Sequence, residues 1–266
     1  MKNLYARYST YAFRIGILAI CMLPFIAYLT YINLIDIEPL VGVGLSAAFS
    51  LGSSIYFKKV SEQLPEDSTN LYSKDFSINE FNFQPDASFY SRMYLVFHEG
   101  QQQYVIEPTI RKPLSRYLTY FSLISSGWVI PITYDVMTLD RSRVFSFIIK
   151  NEWKQFRITI LNEKDEVIAF YKQPLLKSPL KNNGVLFLPH QDTWRIIEAK
   201  NMSGDIDIRD NDNRITASYR YGMFPYTLHP AFQALPINIH IKLGSHILED
   251  ERKAYLAIFY FWLNGR

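Results

Sequence analysis

The residue types that carry most protein chemistry are few in this chain and poorly spaced for it. The five histidines are His98, His190, His229, His240 and His246, and no two stand four apart as a zinc-protease helix requires. His240 and His246, followed by Glu249 and Asp250, are the one grouping of metal-ligating types. Structural or surface histidines are the commoner meaning of such a pattern. Asp205, Asp207, Asp210 and Asp212 alternate in the manner of a calcium loop. Arg209 and Arg214 stand where that loop needs oxygen ligands and its glycine is missing, so the acids read as a solvated face and a turn. Cys21 is the only cysteine, which excludes an internal disulfide framework and a cysteine-based metal site and leaves the redox compartment open. There is no nucleophile elbow, phosphate-binding glycine loop or dinucleotide fingerprint. No metal and no cofactor are expected. A pair of catalytic carboxylates meeting only in space leaves no trace in spacing, so a hydrolase stays as a third reading.

One set of charges remains. Arg111, Lys112, Arg116, Arg141, Arg143, Lys150, Lys154 and Arg157 concentrate base in the middle of the chain. Facing a membrane, such residues attract anionic lipid headgroups at about 1 kcal/mol each. Interleaved acids offer the plainer meaning, charges spread over strands and turns of a soluble surface. The net charge of +3 is too balanced for the basic stripe of a nucleic-acid binder.

The elements that would position these residues begin with two apolar runs. Ile15 to Ile35 carries no charge over 21 residues, enough for a helix to cross a hydrocarbon core of about 30 Å. Asp36-Ile37-Glu38-Pro39 links it to a second uncharged run from Leu40 to Phe57, which ends at Lys58-Lys59. Residues 1–59 therefore read as a transmembrane hairpin with spans at about 15–35 and 40–57. A cleaved signal peptide fits poorly, because the apolar run is too long and a second one follows. A lipoprotein signal fails at Ile20, where a small residue should precede Cys21. Lys2, Arg7, Arg14, Lys58 and Lys59 flank the spans while the link holds only acids, so the positive-inside rule predicts both termini in the cytoplasm. The expected location is the inner or plasma membrane of a bacterial-type cell. In the second span Gly44, Ala48 and Gly52 recur at every fourth position, as do Gly42, Ser46, Ser50 and Ser54. Small residues at that spacing let helices approach, either within the hairpin or against a second copy in a homodimer or another membrane protein.

Residues 60–89 turn polar, with two prolines and weak periodicity, and read as a linker. From about residue 90 the chain becomes a series of short aromatic and β-branched runs, consistent with 16% aromatic residues overall. R-M-Y-L-V-F-H, Q-Y-V-I-E-P-T-I, Y-L-T-Y-F-S-L-I and W-V-I-P-I-T-Y-D lead, the last two read as strands joined by a turn at S-S-G. V-F-S-F-I-I-K, Q-F-R-I-T-I-L, V-I-A-F-Y-K-Q, G-V-L-F-L, T-W-R-I-I-E-A, D-I-D-I-R-D, R-I-T-A-S-Y and P-I-N-I-H-I-K follow. In Phe156, Ile158 and Ile160 against Arg157 and Thr159 the period of two is plain. About a dozen strands at this spacing predict a sandwich or barrel.

The chain ends on A-Y-L-A-I-F-Y-F-W-L, residues 254–263. Ten residues of helix rise only about 15 Å, too little to cross a bilayer. The run is apolar on every side, which excludes a surface-lying amphipathic anchor and predicts a buried helix. Glu249, Asp250 and Glu251 would form its first turn, with Ser245 as a candidate cap. A strand is the alternative, given its Tyr, Phe, Ile and Trp content.

About a dozen strands closed by a short, wholly hydrophobic C-terminal helix resemble the tubby C-terminal-like superfamily, which includes tubby, LURP-one-related and scramblase proteins. The hairpin Q-F-R-I-T-I-L-N-E-K-D-E-V-I-A-F-Y-K-Q is similar to the repeated strand, acidic turn and strand of that fold. The resemblance covers about residues 90–266, leaving the N-terminal hairpin outside it. It implies an all-β fold, a closed or nearly closed antiparallel barrel around the C-terminal helix. It also implies, from phosphoinositide recognition by eukaryotic members, a lipid-headgroup site. The expected function is a membrane-anchored binding or scaffold protein without catalysis, with membrane lipids as partners. A protein-interaction module, using strand edges or the loop Y-G-M-F-P-Y, is the second reading.

Overall fold

A computed structural model of the chain describes residues 1–65, 76, 79–87, 91–97, 100–109, 118–175, 183–198, 205–210, 213–222, 232, 234–235 and 238–264. It divides into two compact units, Met1–Ser68 and Thr69–Arg266.

The first unit is a helical hairpin of α1 (Lys2–Tyr31) and α2 (Glu38–Gln63). Both are long and apolar enough to cross a membrane. Pro24 is carried inside α1, and Pro39 sits at the start of α2, where its missing N–H costs nothing. The first apolar run is helical only to Tyr31, since Asn33 takes a left-handed φ of 54° in the connection. Serines tie the two helices together. The Ser9 hydroxyl donates to the Ser54 carbonyl at 2.9 Å, and the Ser54 hydroxyl donates to the Ser9 carbonyl at 2.9 Å. Further along, the Ser61 hydroxyl donates to the Lys2 carbonyl at 3.0 Å. The α2 seam is thus Ala47, Ser54 and Ser61, one residue per heptad, all buried. Gly16 of α1 lies so close to Leu51 that a side-chain carbon there would stand 2.8 Å from it. This corrects the expectation that Gly44, Ala48 and Gly52 pack the hairpin on itself. Ala48 and Gly52 are exposed, and a methyl group at Gly44 or Gly52 would meet no atom within 4 Å. A four-residue repeat and a seven-residue repeat select different faces of one helix, and the partner helix took the second.

The second unit is a sheet of twelve antiparallel strands: β1 (Glu80–Pro85), β2 (Met93–Val96), β3 (Gln102–Pro108), β4 (Ile132–Thr138), β5 (Arg143–Asn151), β6 (Gln155–Leu161), β7 (Val167–Pro174), β8 (Asn183–Leu188), β9 (Thr193–Glu198), β10 (Ile206–Arg209), β11 (Ile215–Gly222) and β12 (Asn238–Leu243). The order β10-β11-β12-β1-β2-β3-β4-β5-β6-β7-β8-β9 brings β12 back to β1, so the sheet curls into a nearly closed barrel with its two edges at β9 and β10. One-residue register shifts, with the extra residue in β3, β5, β7 and β11, supply the local bending that closure needs.

The C-terminal helix α3 (Glu249–Asn264) fills the barrel. Ala254 to Trp262 are all buried. Eight strands close around side chains alone, and a wider barrel needs something more in its lumen. The aromatic residues of α3 reach walls on every side. Tyr260 meets Tyr134 of β4 at 4.8 Å and Phe147 of β5 at 5.4 Å. Phe261 meets Phe156 of β6 at 4.9 Å, and Phe259 stacks on Tyr219 of β11 at 5.6 Å. Their polar ends are satisfied: the Trp262 indole donates to Gln173 Oε1 at 2.8 Å, and Tyr260 and Ser91 share a hydroxyl bond at 2.9 Å. Ser245 is not the cap. The first helical amide, from Arg252, bonds to the Leu248 carbonyl, and Ser245 offers its own carbonyl to the Arg252 side chain at 3.1 Å.

Two elements differ from expectation. The stretch 60–89 is not all linker: α2 runs to Gln63, Phe76 is buried in the core, and β1 supplies Phe81 and Phe83 to it. Y-L-T-Y-F-S-L-I is no strand. Its described residues make turns and one helical turn, Ser122–Ser125, with Tyr120 and Phe121 exposed. Aromatic and β-branched content predicts strands because strands bury one face, and here Leu118, Tyr120 and Phe121 are exposed outside any strand.

Candidate functional site

Most charged residues of the barrel are consumed by one another. Glu107 is buried between Arg92 and Arg141, 2.6 Å from each, and Arg92 also holds Asp86 at 3.2 Å. Arg143 bonds Asp165 at 2.9 Å and the Glu163 carbonyl at 2.6 Å. Arg141 and Arg143 therefore do not join the remaining bases. Arg111, Lys112 and Arg116 lie outside the described residues, as does all of Y-G-M-F-P-Y after Gly222.

The acidic series is equally absorbed. Asp207 pairs with Arg220 at 2.6 Å and Asp210 with Arg214 at 2.9 Å, while Asp212 lies outside the described residues. His240 stands beside Glu80 at 3.3 Å and Asn82 at 3.2 Å, whereas His246 faces Asp210 at 3.7 Å, so the two histidines are held by different partners. Among the described residues no group of three or more His, Cys, Asp or Glu is placed to hold a metal. Two carboxyls have raised pKa values. Burial pushes up Glu251, against the opposing pull of Arg195, and burial pushes up Asp135 despite a 2.6 Å bond from the Thr109 hydroxyl. Each sits in a framework contact: Glu251 ties the first turn of α3 to Arg195 of β9, and Asp135 faces Glu107 across β3–β4.

Lys150 and Arg157 do come together, the sheet adds a third base, and Lys154 lies in the β5–β6 turn. Lys150 of β5 is paired directly with Arg157 of β6, and Arg157 directly with Lys172 of β7. Inward neighbours such as Ile149, Ile158 and Tyr171 are in the core, so this row of three cations stands on the outer wall. Neighbouring strands are about 4.8 Å apart, and like charges directly opposite one another are destabilising. Only Glu152 answers them among the described residues, 4.0 Å from Lys150 and 3.8 Å from Arg157. The Arg157 guanidinium lies over the Phe170 ring at 4.5 Å, and its buried Nε has no hydrogen-bond partner among the described residues.

Beside the cationic row runs an aromatic one. Phe170, Phe187 and Trp194 are register partners across β7, β8 and β9, with the Phe187 and Trp194 ring centres 4.4 Å apart. Between the two rows lies a groove of about 200 Å³, lined by Arg157, Phe170, Lys172, Val185, Phe187 and Trp194. Such a surface can hold an anion over the bases and an apolar group over the rings.

The end of the barrel nearest Lys150 is formed by the β5–β6 turn and the segment before β4. The Asn151 amide donates to the Gly127 carbonyl at 3.1 Å, its side chain to the Trp128 carbonyl at 3.3 Å, and the Trp128 ring meets Phe156 edge-on at 5.2 Å. Gly127 is required there: its φ is 73°, and a side-chain carbon would stand 2.7 Å from the Ile149 carbonyl oxygen.

Lys172 was not legible as a site residue. Its alignment with Lys150 and Arg157 depends on the register of two successive hairpins, and the period of two in Q-F-R-I-T-I-L was the only available clue that Arg157 faces outward. No family model, no curated protein and no solved structure matches this chain.

Proposed function

We propose that the protein is a membrane-anchored, non-catalytic recognition module that reads anionic lipid headgroups with the Lys150–Arg157–Lys172 row. The hairpin crosses the membrane twice, with both termini and the barrel on the cytoplasmic side, as the flanking bases and the acidic link favour. The row itself carries the reading. Three cations in direct cross-strand register, against one nearby acid, are a costly arrangement that a polyanionic surface relieves. The likeness of a nearly closed barrel around a hydrophobic helix to the tubby-like fold supports the same assignment. Binding is favoured because the lumen is packed by α3 and the groove offers two cations beside aromatic rings.

The test is flotation of residues 69–266 with phosphatidylcholine vesicles containing increasing phosphatidylglycerol at low salt. Binding should rise with anionic content and weaken in Lys150→Gln/Lys172→Gln, by about thirtyfold if each base contributes about 1 kcal/mol. Binding that ignores anionic content, or that the double variant retains in full, overturns the reading.

A further inference from the structure

We propose that the barrel end formed by residues 118–130 and the β5–β6 turn is a membrane-penetrating tip, whose Trp128, Val129, Ile130 and Trp153 enter the boundary between headgroups and acyl chains. The inference rests on the membrane attachment proposed above, and it concerns a different contact from the headgroup row. Within one segment Tyr120, Phe121 and Val129 are exposed by 60% or more, and Trp153 in the adjoining turn by 87%. A soluble surface scatters such residues singly, whereas here six exposed apolar residues fall between Leu118 and Ile130. The segment is also held in place, by the two bonds from Asn151 and the Trp128–Phe156 contact, so the rings are presented on a fixed support. Trp153 even occupies a left-handed position, φ 63°, where a bulky residue is costly and Asn or Gly is usual.

Three observations make a bilayer the occupant. The chain carries two helices long and apolar enough to cross one. Only residues 64–75 separate α2 from Phe76 in the barrel core, a length that reaches at most about 45 Å. The barrel is therefore held within reach of the surface it would enter. Finally, the charges are at the right height. Lys154 adjoins Trp153, and Lys150, near the end of β5, lies three residues before it, a separation of at most about 10 Å. A headgroup layer is about 5–8 Å thick per leaflet, so a tip resting at the acyl boundary sets the cationic row at phosphate level. Tryptophan, tyrosine and flanking lysine are the residue types that such an interface prefers.

The chain's four tryptophans make the test direct, since Trp128 and Trp153 are on the tip while Trp262 is buried in the core and Trp194 lies on β9. The full chain is placed in nanodiscs of neutral phosphatidylcholine brominated near the top of its acyl chains, and tryptophan fluorescence is compared with unbrominated discs. Wild type should be quenched, and Trp128→Phe/Trp153→Phe should lose most of that quenching while keeping its melting transition. Trp153→Phe alone, altering only an exposed turn residue, should lose part of it. Absence of quenching in wild type, or quenching unchanged in the double variant, overturns the tip. Tip-dependent dimers without quenching also overturn it, in favour of a second copy as occupant. Because the discs are neutral, failure here leaves the anionic-vesicle result standing, and failure of that result leaves this one readable.

Discussion

Two regions of this chain are almost purely apolar, and they end in opposite environments. The helices α1 and α2 expose Leu18, Phe25, Leu45, Phe49 and Ile55, whereas α3 exposes nothing between Ala254 and Trp262. Within their uncharged stretches composition does not separate them. Length does: α1 and α2, at 30 and 26 residues, rise about 45 and 39 Å, while the 16 residues of α3 rise about 24 Å. A helix too short for a bilayer but apolar all round is stable only inside protein, and a barrel of twelve strands has the room. The same apolar character therefore goes with two exposed helices long enough to cross a membrane in one unit and with a buried core helix in the other.

The comparison breaks most decisively at Ile258. Ile258→Asp buries an unpaired charge, at several kcal/mol, and forfeits about 2–5 kcal/mol of packing. Against a typical domain stability of about 5–15 kcal/mol, the barrel should lose its cooperative melting transition while membrane extraction of the hairpin stays unchanged. A folded Ile258→Asp barrel would remove α3 from its central place. Phe49→Asp is the converse. At mid-span it should cost about 2.5–3.5 kcal/mol of insertion, seen as a lowered inserted fraction in a glycosylation-mapping assay, with the barrel's melting unaffected.

Smaller effects sharpen the contrast. The reciprocal Ser9–Ser54 bonds are the hairpin's internal fastening, and Ser9→Ala/Ser54→Ala should weaken helix association by about 0.6 kcal/mol per bond. The measurement is steric trapping or detergent unfolding, and a null result would leave the Gly16–Leu51 approach as the main fastening. The last test is of pH. Burial raises the Glu251 pKa above its ordinary 4.5, so over the interval between the two values the folded barrel holds a proton that the unfolded chain has released. This group therefore makes stability fall as pH rises through that interval, with its penalty fully present above the folded value. Glu251→Gln should flatten that part of the stability–pH curve, as read from urea midpoints. An unchanged slope would mean that Arg195 fully compensates the burial.

The fold was more legible than the surface. Phe156, Ile158 and Ile160 declared their strand by alternation, and all three face the core. β1 was hidden because E-F-N-F-Q-P is short and sits in a polar stretch, although Phe81 and Phe83 show the same period of two. Y-L-T-Y-F-S-L-I misled in the other direction, since aromatic composition reports a residue's affinity for apolar surroundings and not whether a sheet provides them. Among the eight bases singled out, Arg141 and Arg143 are neutralised by Glu107 and Asp165, partners far away in sequence and adjacent only through strand pairing.

By itself the sequence determined the two long apolar helices and the destiny of A-Y-L-A-I-F-Y-F-W-L, because charge-free length and all-round apolarity are local properties that constrain a helix wherever it lies. Tertiary structure alone decided which face of α2 meets α1, which bases share a row, and which aromatic residues stay exposed. Those depend on register and on neighbours: a one-residue slip sends every strand side chain to the other face. Lys172 joins Lys150 and Arg157 only because two hairpins fix that register across three strands.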